Sequence, residues 1–220
     1  MNLSDLRLLF IDLYNYSSIP VILVGLFCLK KLPKEFHFLL VAFIINYSIA
    51  VFSNLTLQWH WKNNLFLNHL ASINDVIFMV LFFYFTVRNR NIKVAILTIG
   101  LVIFTLSILD AFWITGYKNP NSISGSIETL CVLIINIYCL IKLIQNHEKN
   151  LFSSPLFWAN AAIFLNNSFP IFQQIFNEQL YLYSSDLFFQ FDIFIKFILM
   201  IANIFYALAF WYAKPKTQTL

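Results

Sequence analysis

Seven apolar windows, each about as long as the roughly 20 residues that a helix needs to cross a bilayer, follow one another along the chain. They cover residues 15–31, 36–56, 66–87, 92–114, 123–145, 154–176 and 187–212. The segments between them carry lysine, arginine, proline, glycine or asparagine, which end membrane helices because they break the helix or avoid hydrocarbon. The pattern predicts an all-α polytopic membrane bundle of seven transmembrane helices over residues 15–212.

The first fourteen residues follow a different pattern from the seven windows. Apolar residues recur there at helical spacing, with acidic and basic side chains between them: Leu3, Leu6, Leu9, Phe10 and Leu13. Such an amphipathic segment is typical of a helix that lies on a membrane surface. We therefore expect residues 1–14 to form an interfacial segment that precedes the first transmembrane helix.

Basic residues are distributed unequally between the two ends of the predicted bundle. Ten lie near one end: Lys30, Lys31, Lys34, Arg88, Arg90, Lys93, Lys142, Lys149, Lys214 and Lys216. Three lie near the other end: Arg7, Lys62 and Lys118. Because short cytoplasmic loops are enriched in lysine and arginine, this asymmetry predicts an outer N-terminus and a cytoplasmic tail over residues 213–220.

Composition excludes several classes of protein. Of the 220 residues 60% are hydrophobic and only 11% are charged, and the mean hydropathy is +0.75. Soluble domains carry about 25% charged residues, so the chain does not resemble a soluble enzyme, a nucleic-acid-binding protein or a disordered chain. The short connections leave no room for a domain outside the membrane, so any chemistry is expected within or between the helices.

Five ionisable residues lie inside the predicted spans, where each costs about 2.5–3.5 kcal/mol on insertion scales and is therefore a candidate functional group. They are Asp75, Asp110, Glu128, Asp192 and Lys196. Further polar residues lie in the third, sixth and seventh predicted spans: Asn68, Ser72, Asn167, Gln174 and Asn203. The spacing of 4, 3 and 4 between Asn68, Ser72, Asp75 and Met79 places them on one helical stripe. Together these side chains predict a ligand-binding cavity that faces the periplasm.

The charges of this predicted cavity favour a cationic ligand. Four carboxyl groups face one ammonium group, and an excess of buried negative charge requires protons, water or a cation. A purely structural interpretation remains open as well. Asp110 and Glu128 are near helix ends, where they can reach headgroup water, and Asp192 and Lys196 are spaced as an i,i+4 ion pair.

The sequence contains no recognisable catalytic or metal-binding motif, and it predicts neither an enzyme nor a cofactor. No H-x-x-x-H or H-E-x-x-H pair is present among the four histidines. Asp192-x-x-x-Lys196 in the last span resembles the retinal-binding helix of microbial rhodopsins. However, the third span has no arginine, and Trp158 is predicted at the cytoplasmic end of its helix, so we do not favour a retinal protein.

Short motifs across the chain carry a second resemblance. These are SIP at residues 18–20, KKL at 30–32, SPLFW at 154–158 and IANIFYA at 201–207. They are similar to stretches of small seven-helix inner-membrane proteins of Bacteroidota, which tend to have a glutamate where this chain has Asp75. The resemblance implies a multi-pass protein of a bacterial inner membrane and implies no particular activity.

Three functions are compatible with these observations. The first is a receptor-like sensory or signalling module that binds a small, cationic or amphipathic ligand and signals to a cytoplasmic or membrane protein partner. The second is a small proton-coupled transporter that uses Asp75, Asp192 and Lys196 as its relay. The third is an accessory subunit of a membrane complex. The lipid bilayer is a partner in all three, and nucleic acid in none.

Overall fold

The computed structural model describes residues 2–59, 64–114, 116, 122–146 and 150–213, and these residues form an all-α fold, as the sequence predicts. The described α-helices are α1 (Leu3–Cys28), α2 (Lys34–Gln58), α3 (Phe66–Thr86), α4 (Arg90–Leu109), α5 (Ser122–Asn146), α6 (Pro155–Ser168), α7 (Pro170–Tyr183) and α8 (Ser185–Tyr212). A π-helical turn, Asp110–Ile114, continues α4, and short 3-10 turns precede α2 and α6.

Six segments of the described chain are long and apolar enough to cross a membrane. They are Leu3–Lys31, Lys34–Thr56, Phe66–Thr86, Arg90–Ile114, Ser124–Gln145 and Ser185–Tyr212. These segments are compatible with a multi-pass integral membrane protein. The predicted number of seven spans and the predicted orientation are not established by them.

The helix α1 runs without a break from Leu3 to Cys28. Its first turn is fixed by Asn2, whose side chain accepts a hydrogen bond from the backbone N–H of Asp5, in a reciprocal capping box. The predicted surface segment and the first predicted span are thus one continuous helix. That residues 1–14 lie at the membrane interface stays a prediction.

The sixth predicted span is divided into two helices. The helix α6 ends at Ser168, and α7 begins at Pro170 after the single residue Phe169. Proline has no backbone N–H to donate and its ring obstructs the preceding turn, so the break falls where the sequence places Pro170. Each of the two helices has 14 residues, too few to cross a bilayer alone.

Both helices nevertheless follow α8 in the antiparallel direction. The Trp158 ring of α6 lies 5.0 Å from that of Phe205, measured between centroids. Farther along the chain, the Tyr181 ring of α7 lies 5.7 Å from that of Phe188. Helix α8 also packs against α1, while α3 packs between α2 and α4.

One end of the bundle is filled mainly by apolar side chains, which we call the apolar core, and a few buried polar groups such as the hydrogen-bonded pair Asn136 and Asn160 lie among them. This is the end at which α1, α3 and α8 finish and α2 and α6 start, as the buried positions of Cys28, Val87 and Leu156 show. The Phe36 ring is fully buried there, and its centroid lies 6.0 Å from that of Phe82 in an edge-to-face arrangement. The core thus leaves little space between the helices at this end.

Candidate functional site

Two cavities lie between the helices, on the side of the apolar core that faces the opposite end of the bundle. The first cavity has a volume of about 140 Å³ and is lined by residues of α1, α2, α3, α6 and α8. The second cavity, of about 240 Å³, is lined by residues of α3, α5 and α6. Asp75, Met79 and Asn166 line both cavities, so the two share a wall made by α3 and α6.

The carboxyl group of Asp75 is held in the shared wall by an amide chain. Asn46 on α2 donates a hydrogen bond from Nδ2 to Asp75 Oδ1 over 2.6 Å. Asn74 in turn donates from Nδ2 to Asn46 Oδ1 over 2.8 Å, which fixes the orientation of the Asn46 amide. The two amides therefore fix the orientation of the Asp75 carboxyl group in the wall of the cavities.

The predicted polar stripe of α3 faces the second cavity, since Asn68, Ser72, Asp75 and Met79 all line it. Glu128 on α5 lines the same cavity and is only 8% exposed. The Ser72 hydroxyl donates a hydrogen bond to Glu128 Oε2. Two of the predicted carboxyl groups, one from α3 and one from α5, therefore meet at this cavity.

The described residues that line the two cavities include no lysine, arginine or histidine. The lining instead combines two acidic side chains, several amides and hydroxyls, and an apolar floor that belongs to the apolar core. Leu39, Met79, Val132 and Tyr206 form this floor. The arrangement suits a small ligand whose polar part is positively charged.

Asp192 and Lys196 belong to a separate ionic network. Arg7 on α1 donates from Nε to Asp192 Oδ2 over 2.6 Å, and Lys196 Nζ lies 4.0 Å from Asp192 Oδ1. Gln173 on α7 donates to the same Oδ1 over 3.0 Å. The guanidinium of Arg7 also lies 5.4 Å from the centroid of the Phe188 ring. The network joins α1, α7 and α8, and none of its members lines either cavity.

Arg7 is the member of this network that the sequence places at the membrane surface. The signal that would have found it is the stripe on α1, where Arg7, Tyr14, Ser18 and the buried Val21 follow each other at intervals of 7, 4 and 3. This stripe faces α8. Because Arg7 lies on the stripe that faces α8, it is positioned to form an ion pair with Asp192.

Asp110 belongs to the π-helical turn after α4, and its carboxyl group contacts the first turn of α5. Its Oδ2 accepts hydrogen bonds from the Ser124 hydroxyl over 2.6 Å and from the Ser124 backbone N–H over 3.4 Å. A carboxylate at a helix N-terminus is stabilised by the unpaired N–H groups of the first turn. With 1% exposure Asp110 is buried, but it does not line the two cavities.

The remaining predicted residues are amides. Asn203 lines the first cavity and donates to the Ser17 hydroxyl over 2.7 Å. Asn167 lines the second cavity and donates to the carbonyl oxygen of Ile163 over 2.7 Å. The side chain of Gln174 lies outside the described residues.

The five ionisable residues of the predicted spans therefore do not gather in one pocket. They divide into a carboxyl pair at the cavities (Asp75 and Glu128), an ionic network around Asp192 and a helix-terminal contact at Asp110. The physical reason is that Asp192 and Asp110 find local compensation, the first from Arg7 and the second from α5. Ser72, Asn167 and Asn203 remain with the cavities.

Within the described residues, no group of three or more histidine, cysteine, aspartate or glutamate side chains is placed to hold a metal ion. Comparison of the chain with family models, with curated proteins and with solved structures gives no match. Function is therefore inferred from the geometry of the two cavities.

Proposed function

We propose that this protein is a receptor-like sensory module and that its two cavities bind a small cationic ligand. The observation that carries the proposal is the position of Asp75 in the wall shared by both cavities, with Glu128 on the second and no cationic side chain among the described residues of either lining. A ligand cation supplies the charge that the lining lacks, and its binding is coupled to the positions of α2, α3 and α5.

The one-sided placement of the cavities supports a receptor over a transporter. Beyond the floor formed by Met79 and Tyr206, the apolar core continues through buried phenylalanines such as Phe36 and Phe82. A transported cation would have to pass this largely apolar region, where an unpaired charge costs several kcal/mol or more. A receptor needs access from one side only.

The proposal includes the topology predicted from the sequence. In it, α6 and α7 together make the sixth of seven crossings, because both follow α8 from Phe205 to Phe188. Helix ends beside the apolar core carry Lys30 and Arg88, which suits the cytoplasmic side. The cavities then face the periplasm of a bacterium, in keeping with the resemblance to inner-membrane proteins of Bacteroidota. The signal passes to a cytoplasmic or membrane protein partner.

The test is ligand-dependent stabilisation of the purified protein in a maltoside detergent. A panel of organic and inorganic cations is screened at concentrations up to about 100 times the dissociation constant, where binding adds about 2.7 kcal/mol. That energy corresponds to a rise of about 5 °C or more in the apparent melting temperature. We expect Asp75→Asn to abolish the rise and Asp186→Asn, at an exposed position in the first turn of α8, to preserve it.

A panel without any stabilising cation contradicts the proposal, and so does a rise that is equal in the wild type and in Asp75→Asn.

The break between α6 and α7 favours a second candidate, the proton-coupled transporter. Broken helices at a polar site are a feature of many secondary transporters, and Asn166, beside this break, lines both cavities. Proteoliposomes that show a solute-dependent pH change, lost in Asp75→Asn, would favour transport. A flat trace together with ligand-dependent stabilisation favours the receptor.

A further inference from the structure

The first cavity has an aromatic lining that distinguishes it from the second. Resting on the proposed function, we propose that the first cavity binds a methylated ammonium group, held by the charge of Asp75 and by four aromatic rings. These rings belong to Tyr14, Phe43, Tyr47 and Tyr206, and we call them the aromatic lining.

The aromatic lining comes from three helices that enclose the cavity. Tyr14 belongs to α1, Phe43 and Tyr47 to α2, and Tyr206 to α8. The rings of Phe43 and Tyr206 lie 4.6 Å apart between centroids and are inclined by 73°, so that each restrains the other. Aromatic rings around a cation are the recognised means by which proteins bind quaternary ammonium groups.

Some of the hydrogen-bond acceptors closest to Asp75 are already engaged within the protein, which reduces the advantage of a primary ammonium. A primary ammonium has three N–H donors and loses its hydration unless acceptors replace it. Here the Asn46 oxygen already accepts from Asn74, and one oxygen of Asp75 already accepts from Asn46. A trimethylated ammonium donates nothing, so it needs only a nearby negative charge and polarisable surfaces, which Asp75 and the aromatic lining supply.

A second contact shows that a ring of the aromatic lining already attracts a cation. Lys196 Nζ lies 5.2 Å from the centroid of the Tyr14 ring. Lys196 Nζ also lies 4.0 Å from Asp192 Oδ1, and Asp192 forms its closer ion pair with Arg7. Lys196 thus occupies one side of the Tyr14 ring, while the same side chain lines the cavity.

The volume of the first cavity limits the ligand to a small group. At about 140 Å³ it is well below the roughly 300 Å³ at which sites for drug-sized molecules begin. Its floor offers the apolar side chains of Leu39 and Met79 to methyl groups. A trimethylammonium group, either as a free ion or as part of a lipid headgroup, matches these properties.

The experiment measures affinity across a methylation series of one skeleton. Ethanolamine, its N-methyl and N,N-dimethyl derivatives and choline are titrated into the purified protein in maltoside, with tetramethylammonium as the minimal probe. We expect affinity to rise with each methyl group, and choline to bind about tenfold or more tightly than ethanolamine. Tetramethylammonium should compete with choline.

Three variants test whether the aromatic lining causes this preference. Tyr47→Leu should reduce the ratio of choline to ethanolamine affinity by about threefold or more, and Tyr47→Phe, which keeps the ring, should retain it. The matched control is Phe52→Leu on the same helix, because Phe52 is 39% exposed and does not line the cavity.

A further arm distinguishes a free ligand from a lipid headgroup. In nanodiscs of phosphatidylcholine, weaker choline binding than in nanodiscs of phosphatidylethanolamine, which is also zwitterionic but has no methyl groups on its ammonium, would identify the headgroup as occupant, and equal binding would identify the free ion. Both results support the binding of a methylated ammonium group in the first cavity.

Ethanolamine binding at least as tightly as choline would overturn this inference. If that binding were still lost in Asp75→Asn, the proposed function would stand, whereas failure of every cation to bind would overturn both.

Discussion

The ion pair between Arg7 and Asp192 is expected to hold α1 against α8, and replacing Arg7 with methionine tests this role. Methionine keeps an unbranched side chain of similar length and removes the charge. In the variant, the carboxyl group of Asp192, with a side chain only 3% exposed, keeps Lys196 at 4.0 Å and the amide of Gln173 as its partners.

The size of the effect follows from the burial of the two partners. Removing one member of a fully buried pair costs about 3–5 kcal/mol, because the other charge is left uncompensated. The Arg7 side chain is 30% exposed and Lys196 remains nearby, so we expect Arg7→Met to lower the free energy of unfolding by about 2–3 kcal/mol. For a chain of this length that corresponds to a fall of about 5–10 °C in melting temperature.

The assay is a double-mutant cycle with Arg7→Met, Asp192→Asn and the combined variant, each followed by its apparent melting temperature in detergent. Because the neutral amide introduced by Asp192→Asn no longer needs the cation, the combined variant should lose less stability than the sum of the two single variants. The melting temperature of Arg7→Lys should lie between those of the wild type and Arg7→Met, since a lysine keeps the charge but not the planar contact with the Phe188 ring. Additive losses would refute the reasoning, because they would show that the two residues stabilise the fold independently.

Two further predictions concern helix packing and a helix terminus. A Cβ atom added to Gly100 on α4 would overlap with Val80 Cγ2, so Gly100→Ala should lower the melting temperature, and the added substitution Val80→Ala should recover part of the loss. Ser124→Ala removes a hydrogen bond to the buried Asp110 carboxyl and should cost about 1–2 kcal/mol, whereas Ser124→Thr, which retains a hydroxyl, should cost less. Equal melting temperatures of the variant and the wild type would contradict either argument.

Most helix positions could be predicted from hydropathy because long apolar runs separated by charged turns leave few alternatives. The third window, residues 66–87, and the helix Phe66–Thr86 nearly coincide. The sixth window could not be divided in the same way, since an average over about 20 residues hides one proline. Pro170 does indicate a free carbonyl near residue 166, and the structure places Asn166 in both cavities.

The composition of the site was less predictable than the helices. Spacing along one helix identifies residues on a common face, and it identifies the stripe with Ser72 and Asp75. It does not tell which faces of different helices meet. Asp192 and Asn203 share a face of α8, yet Asn203 lines a cavity while Asp192 pairs with Arg7 on α1. Only the three-dimensional arrangement separates the two.

The contact between α1 and α8 also sets the order in which this protein can be assembled. Arg7 leaves the ribosome 185 residues before Asp192, and Ser17 precedes its partner Asn203 by 186 residues. During synthesis α1 is therefore made with an arginine whose counter-ion has not yet been translated. The contact between α1 and α8, with its ion pair, can therefore form only after α8 has been synthesised, so a chain that lacks α8 leaves Arg7 without this counter-ion.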